Sequence, residues 1–271
     1  MRFPEMFCVV SWGPFDLTGK NAVVTGGAMG IGFGITKRLA EAGANVLIAD
    51  IDLQTAQSRA ATLAGGSGKV AAVQANVTDD DAGERIVAKC VELFGSIDIM
   101  VNNAGIYPAK SFLDVDEAFL KKVMDVNLNS VFWMCQHMIK GRLKKGGVII
   151  NMGSIEAVMP LKEELSHYDI TKAGVMVLSR TLASEYAKHG FRVNVLVPGG
   201  IWTSGTKKVA KELMKLKLGV VKTGIEYDMR TPQGRIGKPD EIARMALVLA
   251  SDLSTYVNGT LVVVDGGFLS S

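Results

Sequence analysis

A chain of 271 residues, 48% of them hydrophobic and 21% charged, has the length and composition to bury a sizeable core as one large α/β domain or two small ones. A net charge of +3 is too small to argue for a nucleic-acid or membrane-surface partner, and no stretch approaches the ~20 apolar residues that span a bilayer. Three scattered cysteines (Cys8, Cys90, Cys135) and three histidines (His137, His167, His189) give neither a disulfide framework nor metal-ligand spacing.

The cysteines are read as buried thiols in a reducing cytoplasm, with no metal expected. The opening "MRFPEMFCVVSWGPF" has too short an apolar run for a secretory signal, so residues 1–14 are expected to form an extra arm. That arm could pack on the domain, pack on a neighbouring subunit or be disordered. The fold should begin near Leu17 and occupy 15–271. "NAVVT" (21–25) reads as a buried strand, 30–43 as a helix and "NVLIAD" (45–50) as the next strand. A helix should run from about Leu53 to the "GGSG" at 65–68, followed by the strand "KVAAVQA". "DDDAGERIVAKCVELFG" reads as a helix with acids at its start and Gly95 after its end. "IDIMVNN" is a strand, 116–143 a long helical region and "GVIINMG" a strand. A helix over 166–189 precedes the strand "FRVNVLV", and 203–235 is irregular or helical. "PDEIARMALVLAS" is a helix opened by Pro239, and "GTLVVVDGG" is the last strand. Continuously apolar strands alternating with helices imply a doubly wound Rossmann-type α/β domain, with about seven parallel strands flanked by helices.

"TGGAMGIG" (25–32) joins the first strand to the first helix. Its glycines let the backbone approach a pyrophosphate at the helix N-terminus, which predicts a dinucleotide site at Gly26, Met29, Gly30, Ile31 and Gly32. Asp50 ends the second strand, where a carboxylate can bind ribose hydroxyls and repel a 2′-phosphate. It is followed by Ile51 and Asp52 rather than by an Arg or Lys, and the expected cofactor is therefore NAD. "HYDITKAG" (167–174) sets Tyr168 and Lys172 one helical turn apart on one face.

With "NNAG" (102–105), "VNL" around Asn127, "GS" with Ser154, "PGGIWT" (198–203) and "GRIGKPDEIA" (234–243), these motifs stand in an order that resembles the short-chain dehydrogenase/reductase family in its one-domain form. The likeness runs from "FDLTGKNAVVTGGAMGIG" to "VNGTLVVVDGG", and within the family it is to glucose and polyol dehydrogenases and to 3-oxoacyl-thioester reductases. It implies that Asn103, Ala104 and Gly105 line the cofactor cleft, and that Asn76 and Val77 sit at the adenine. Pro198, Gly199, Ile201 and Thr203 would face the nicotinamide. It implies Tyr168 as the acid/base, Lys172 as the group that lowers the phenol pKa and binds the ribose, Ser154 as the group that holds the substrate oxygen, and Asn127 as a water-mediated proton relay. Family members usually assemble through the two long helices carrying Asn127 and Tyr168, so a homotetramer is expected.

Substrate contacts are expected from Tyr107, Glu156, His167 and Trp202. Glu156 has two readings, a carboxylate that accepts from a polyol or sugar, or a rim acid bonded to backbone or solvent. His167 is either a substrate contact or a polar rim residue. The lysine-rich amphipathic stretch inside 203–235 reads as a substrate lid. The interval from Ser154 to Tyr168 is one residue longer than the family's commonest, and the loop "MPLKEELSH" should absorb it. The leading expectation is hydride transfer between NAD and a secondary alcohol or ketone, with a sugar, polyol or cyclic alcohol as candidates. The alternatives are a 3-oxoacyl-thioester reductase and a non-catalytic NAD-binding sensor.

Overall fold

The computed structural model describes residues 13–203 and 230–271. Most of the expected N-terminal arm and of the expected lid therefore lies outside the described residues. In chain order the elements are β1 (Asn21–Thr25), α1 (Gly30–Glu41), β2 (Asn45–Asp50), α2 (Leu53–Thr62), β3 (Val70–Gln74), α3 (Ala82–Phe94) and β4 (Ile99–Asn102). Then come α4 (Glu117–Met124), α5 (Ser130–Arg142), β5 (Gly147–Met152), α6 (Ser166–Tyr186), β6 (Phe191–Pro198), α7 (Pro239–Ala250) and β7 (Leu261–Val264).

The strands form one seven-stranded sheet in the order β3-β2-β1-β4-β5-β6-β7, and every pair is parallel. Successive residues of a strand point to opposite faces, and here both faces are covered. Ala22 and Val24 of β1 pack with Ile35 and Leu39 of α1 and Ile242 and Ala246 of α7. Val23, between them, packs with Ile86 of α3 and Met134 and Met138 of α5 on the opposite side. Each Val, Leu, Ile or Met side chain among these, fully buried, contributes about 1.5–3 kcal/mol, so the two layers fix the sheet in place. The strand order reverses between β1 and β4, and the crevice beyond their carboxyl ends is where ligands bind in sheets of this kind.

Three boundaries differ from the sequence reading, each for a local reason. The long helix expected over 116–143 is split by a π-helical turn, Asp125–Asn129. There the Asn127 side chain accepts from the Ile106 N–H at 2.8 Å and donates to the Ile106 carbonyl at 2.9 Å. β4 stops at Asn102 because the Asn103 N–H leaves the ladder and donates to Thr25 Oγ1 at 3.0 Å. The last strand stops at Val264, before Gly266 and Gly267 turn the chain.

Candidate active site

The nucleotide end is assembled from backbone. The chain leaves β1 at Thr25 and turns at Gly26, whose φ of +62° is disfavoured for a side-chain-bearing residue. Gly32 opens the close approach: a Cβ there would lie 2.1 Å from the Gly26 carbonyl oxygen and 2.5 Å from Asn103 Nδ2. Asn103 Nδ2 donates to the carbonyls of Thr25 and Gly26, at 3.0 Å each, and the Ala104 N–H donates to Thr25 Oγ1 at 3.1 Å. Thr25 and Asn103 thereby tie the two strand ends together across the crevice. No side chain caps the start of α1, so its first amides face outward at the positive end of the helix dipole.

Met29 and Ile51 are exposed beside this loop, and Ile31 and Val77 are partly buried. Asp50 is buried. Its two oxygens accept from the N–H groups of Ala28 (3.0 Å) and Asp52 (3.1 Å). Asn76 stands at the end of β3, but its side chain serves the turn it sits in, accepting from Thr78 and donating to Asp79. On the far side, Pro198 ends β6 and the Gly199 N–H donates to the Val264 carbonyl. Ile201 forms a bridge with Gly237, and the Thr203 side chain comes within 3.5 Å of where a Cβ on Gly30 would be. A glycine cradle that a Cβ would fill, uncapped helix amides and a carboxylate at the end of β2 suit a dinucleotide: pyrophosphate on the amides, ribose on Asp50.

The four residues expected to act on substrate come together from three elements. Ser154 follows β5 and starts the turn Ile155–Ala157, and its Oγ accepts from the Glu156 N–H at 3.2 Å. It also hydrogen-bonds Tyr168, near the start of α6. Lys172, one turn further on, is buried and donates from Nζ to the Met152 carbonyl at 2.9 Å. Its Nζ lies 5.8 Å from the centre of the Tyr168 ring. Gly105 completes the contact with the π turn: a Cβ on it would stand 3.3 Å from Asn127 Oδ1 and 3.8 Å from Lys172 Nζ. Between Ser154 and Tyr168 the chain runs through the turn Ile155–Ala157 and the loop before α6. Glu164 there takes a φ of +66°, and its carbonyl accepts from the Lys110 N–H at 3.1 Å.

The electrostatics correct one expectation. Lys172 was expected to lower the Tyr168 pKa, yet the phenol is pushed up to about 12. Burial is the main cause, opposed by the Ser154 hydrogen bond and reinforced by the charges of Glu156 and Asp169. Burial also brings Lys172 down to about 8. Asp169 rises to about 6 through burial and the nearby Glu156, and its Oδ1 is buried with no hydrogen-bond partner among the described residues.

The expected substrate contacts separate into two groups. Tyr107 and Trp202 are open to solvent, and the Tyr107 ring stands edge-on to Tyr168 with centroids 4.6 Å apart. Glu156 and His167 are corrections. Glu156 is not a rim acid: it is 5% exposed, and its carboxylate accepts from protein groups. His167 is 2% exposed, with Nε2 2.7 Å from the Pro108 carbonyl and its ring edge-on to Phe119, so it braces α6 from inside. Sequence reasoning missed Thr25 and Asp169. A threonine ending a strand before a glycine loop was the available signal for the first. The second lies inside "HYDITKAG", beside the tyrosine that drew attention.

The family model described as enoyl-(acyl carrier protein) reductase matches residues 26–269. The chain belongs to the short-chain dehydrogenase/reductase family. It is 37% identical to an L-rhamnose 1-dehydrogenase (NAD(P)(+)) of Azotobacter vinelandii, over 93% of this chain and 97% of that one. It is also 37% identical to a 3-oxoacyl-(acyl-carrier-protein) reductase of Chlamydia muridarum, over 93% and 98%. Among solved structures, a short-chain type dehydrogenase/reductase of Mycobacterium marinum superposes with a TM-score of 0.86 at 32% identity, over 95% of this chain and 98% of that one. A Beutenbergia cavernae structure described as an NAD(P)-dependent gluconate 5-dehydrogenase, with NADP bound at low occupancy, reaches 0.87 at 32% identity, over 96% and 100%. As a member of this family the protein is an NAD(P)-dependent oxidoreductase. Among the described residues, no helix is long and apolar enough to cross a membrane.

Proposed function

We propose that the protein is an NAD-dependent dehydrogenase in which Tyr168 is the acid/base. The observation that carries this reading is the meeting of Ser154, Tyr168 and Lys172 beside the β1–β4 crevice. A bound nicotinamide supplies the hydride acceptor. The chain's own residues handle the oxygen and its proton. Ser154 hydrogen-bonds the substrate oxygen and stabilises the charge that develops on it. The hydroxyl proton passes to the phenolate oxygen of Tyr168 as the carbon–oxygen double bond forms. Lys172 holds the ribose hydroxyls. Asn127, tied to Ile106 by its side chain, carries the proton onward through a bound water.

Asp50 supports NAD over NADP, because its carboxylate repels a 2′-phosphate. A neutral sugar, polyol or cyclic alcohol is the leading substrate class, in keeping with the rhamnose dehydrogenase relative. A second reading, reduction of a 3-oxoacyl thioester, is favoured by one observation: a phenol raised to about 12 is held protonated, ready to donate. Initial rates with NAD and NADP across a panel of secondary alcohols and 3-oxoacyl thioesters test both. Turnover with NAD on an alcohol supports the first, and turnover confined to thioesters supports the second. No turnover on any member of the panel contradicts both.

We also propose a homotetramer working in the cytoplasm. Phe132 and Trp133 on α5 and Ile170 and Val177 on α6 are large apolar side chains left exposed, as are Tyr256 and Val263 at the β7 side. Light scattering that gave a monomer mass would contradict the assembly.

A further inference from the structure

Glu156 stands two residues after Ser154, and both oxygens of its carboxylate are engaged by protein donors. Its Oε2 accepts from the N–H groups of Leu161 (2.9 Å) and Lys162 (3.3 Å), and its Oε1 receives the Tyr107 hydroxyl at 3.4 Å. Its own N–H donates to Ser154 Oγ. Tyr107 in turn stands edge-on to Tyr168, and Lys162 Nζ lies 5.5 Å from the Tyr107 ring centre. A buried carboxylate with three donors does not turn to a substrate without leaving those donors unpaired.

We propose that Glu156 is a positioning residue that sets substrate specificity by clamping Tyr107 and the turn around Lys162 together beside Tyr168, and that it does not bind substrate itself. The proposal rests on the reading of Tyr168 as the acid/base. The turn is the tighter arm of the clamp, with bonds from 2.9 to 3.3 Å, and Tyr107 the looser one. The place of the Tyr107 ring beside Tyr168 is then set by the protein before any substrate arrives. Larger and smaller alcohols are separated by fit.

The clamp also carries charge. Facing Tyr168 are Glu156, Asp169, Ser154, Tyr107 and Lys172, with His167 beside Asp169 and Lys162 over Tyr107. The Glu156 charge raises the phenol pKa, so a neutral amide in its place lowers it.

The test compares Glu156→Gln, Glu156→Ala and Tyr107→Phe with the wild type, as full-length proteins with cofactor. kcat and KM are measured on secondary alcohols of increasing size, with a pH profile of kcat for alcohol oxidation. Glu156→Ala is expected to raise KM about tenfold, the value of one lost buried hydrogen-bonding group, and to flatten the size preference. Tyr107→Phe flattens it less. Glu156→Gln, whose amide can serve both arms, restores KM and the size preference while moving the rising limb of the pH profile to lower pH. An unchanged size ranking in Glu156→Ala would overturn the proposal. So would a KM loss in Glu156→Gln confined to substrates carrying extra hydroxyls, since that pattern means direct contact.

A second readout needs no turnover. Trypsin should cut after Lys162 about tenfold faster in Glu156→Ala than in wild type or Glu156→Gln, because the turn has lost its buried tether. Equal cleavage in all three contradicts the clamp. Equal NAD reduction by wild type and Tyr168→Phe would instead sink the acid/base reading and leave the cleavage result standing.

Discussion

At the ends of β1 and β2 the groups that would face a dinucleotide are backbone amides, glycines and a single carboxylate, Asp50, held in place by Thr25 and Asn103. At the ends of β4 and β5 and the start of α6 they are side chains, and several of these are already bonded to the protein: Glu156 to a turn and to Tyr107, His167 to Pro108, Asn127 to Ile106. The contrast teaches where specificity resides. A cradle made of backbone fits one shape of ligand, and any added side-chain atom spoils it. A wall made of internally bonded side chains can be re-cut by changing the bonds within it.

The largest expected effect falls on the cradle. Gly32→Ala places a Cβ on the Gly26 carbonyl and on Asn103, and overpacking of this kind costs about 1–3 kcal/mol, occasionally more. A lower Tm is expected, together with loss of the Tm rise that NAD gives the wild type. An unchanged NAD-induced rise would break the picture of a close-fitting cradle. Asp50→Ser should have an intermediate effect. Removing the charge that repels a 2′-phosphate shifts the kcat/KM ratio toward NADP by about tenfold or more, about 1.4 kcal/mol of discrimination. A ratio unmoved by the substitution would remove Asp50 from cofactor choice.

The smallest effect is on the side-chain wall. The Asp169 carboxyl is raised to about 6 by burial and by Glu156, against an unperturbed value near 3.8. The folded state therefore holds that proton more tightly than the unfolded chain does. Stability falls as pH rises from about 4 through about 6, and the loss is then complete. Asp169→Asn should gain in Tm relative to wild type above pH 6, by an amount that vanishes as pH falls toward 4. A gain independent of pH would assign the effect to packing alone.

Much of the fold was legible because its signals are local. Continuous apolar runs such as "NAVVT" and "NVLIAD", glycine punctuation and Pro239 at the start of α7 set most elements to within a few residues. The turn after β1 was legible for the same reason, since Gly26 and Gly32 are required by backbone geometry. What escaped the sequence depends on contacts far apart in the chain. The π turn exists where Asn127 meets Ile106, and the burial of Glu156 depends on Leu161, Lys162 and Tyr107 closing around it. The upward shift of Tyr168 could not be read from a lysine one turn away, because it comes from burial and from the charges of Glu156 and Asp169.

The account turns on Tyr168 moving the substrate proton. The most direct measurement is single-turnover NAD reduction by wild type and Tyr168→Phe on the best alcohol of the panel, with NADH affinity measured by fluorescence on both proteins. The expected result is a rate lower by about 10²–10⁴-fold in Tyr168→Phe, the usual contribution of a general acid/base, with NADH affinity unchanged. Equal rates in the two proteins at equal NADH affinity would contradict the central claim.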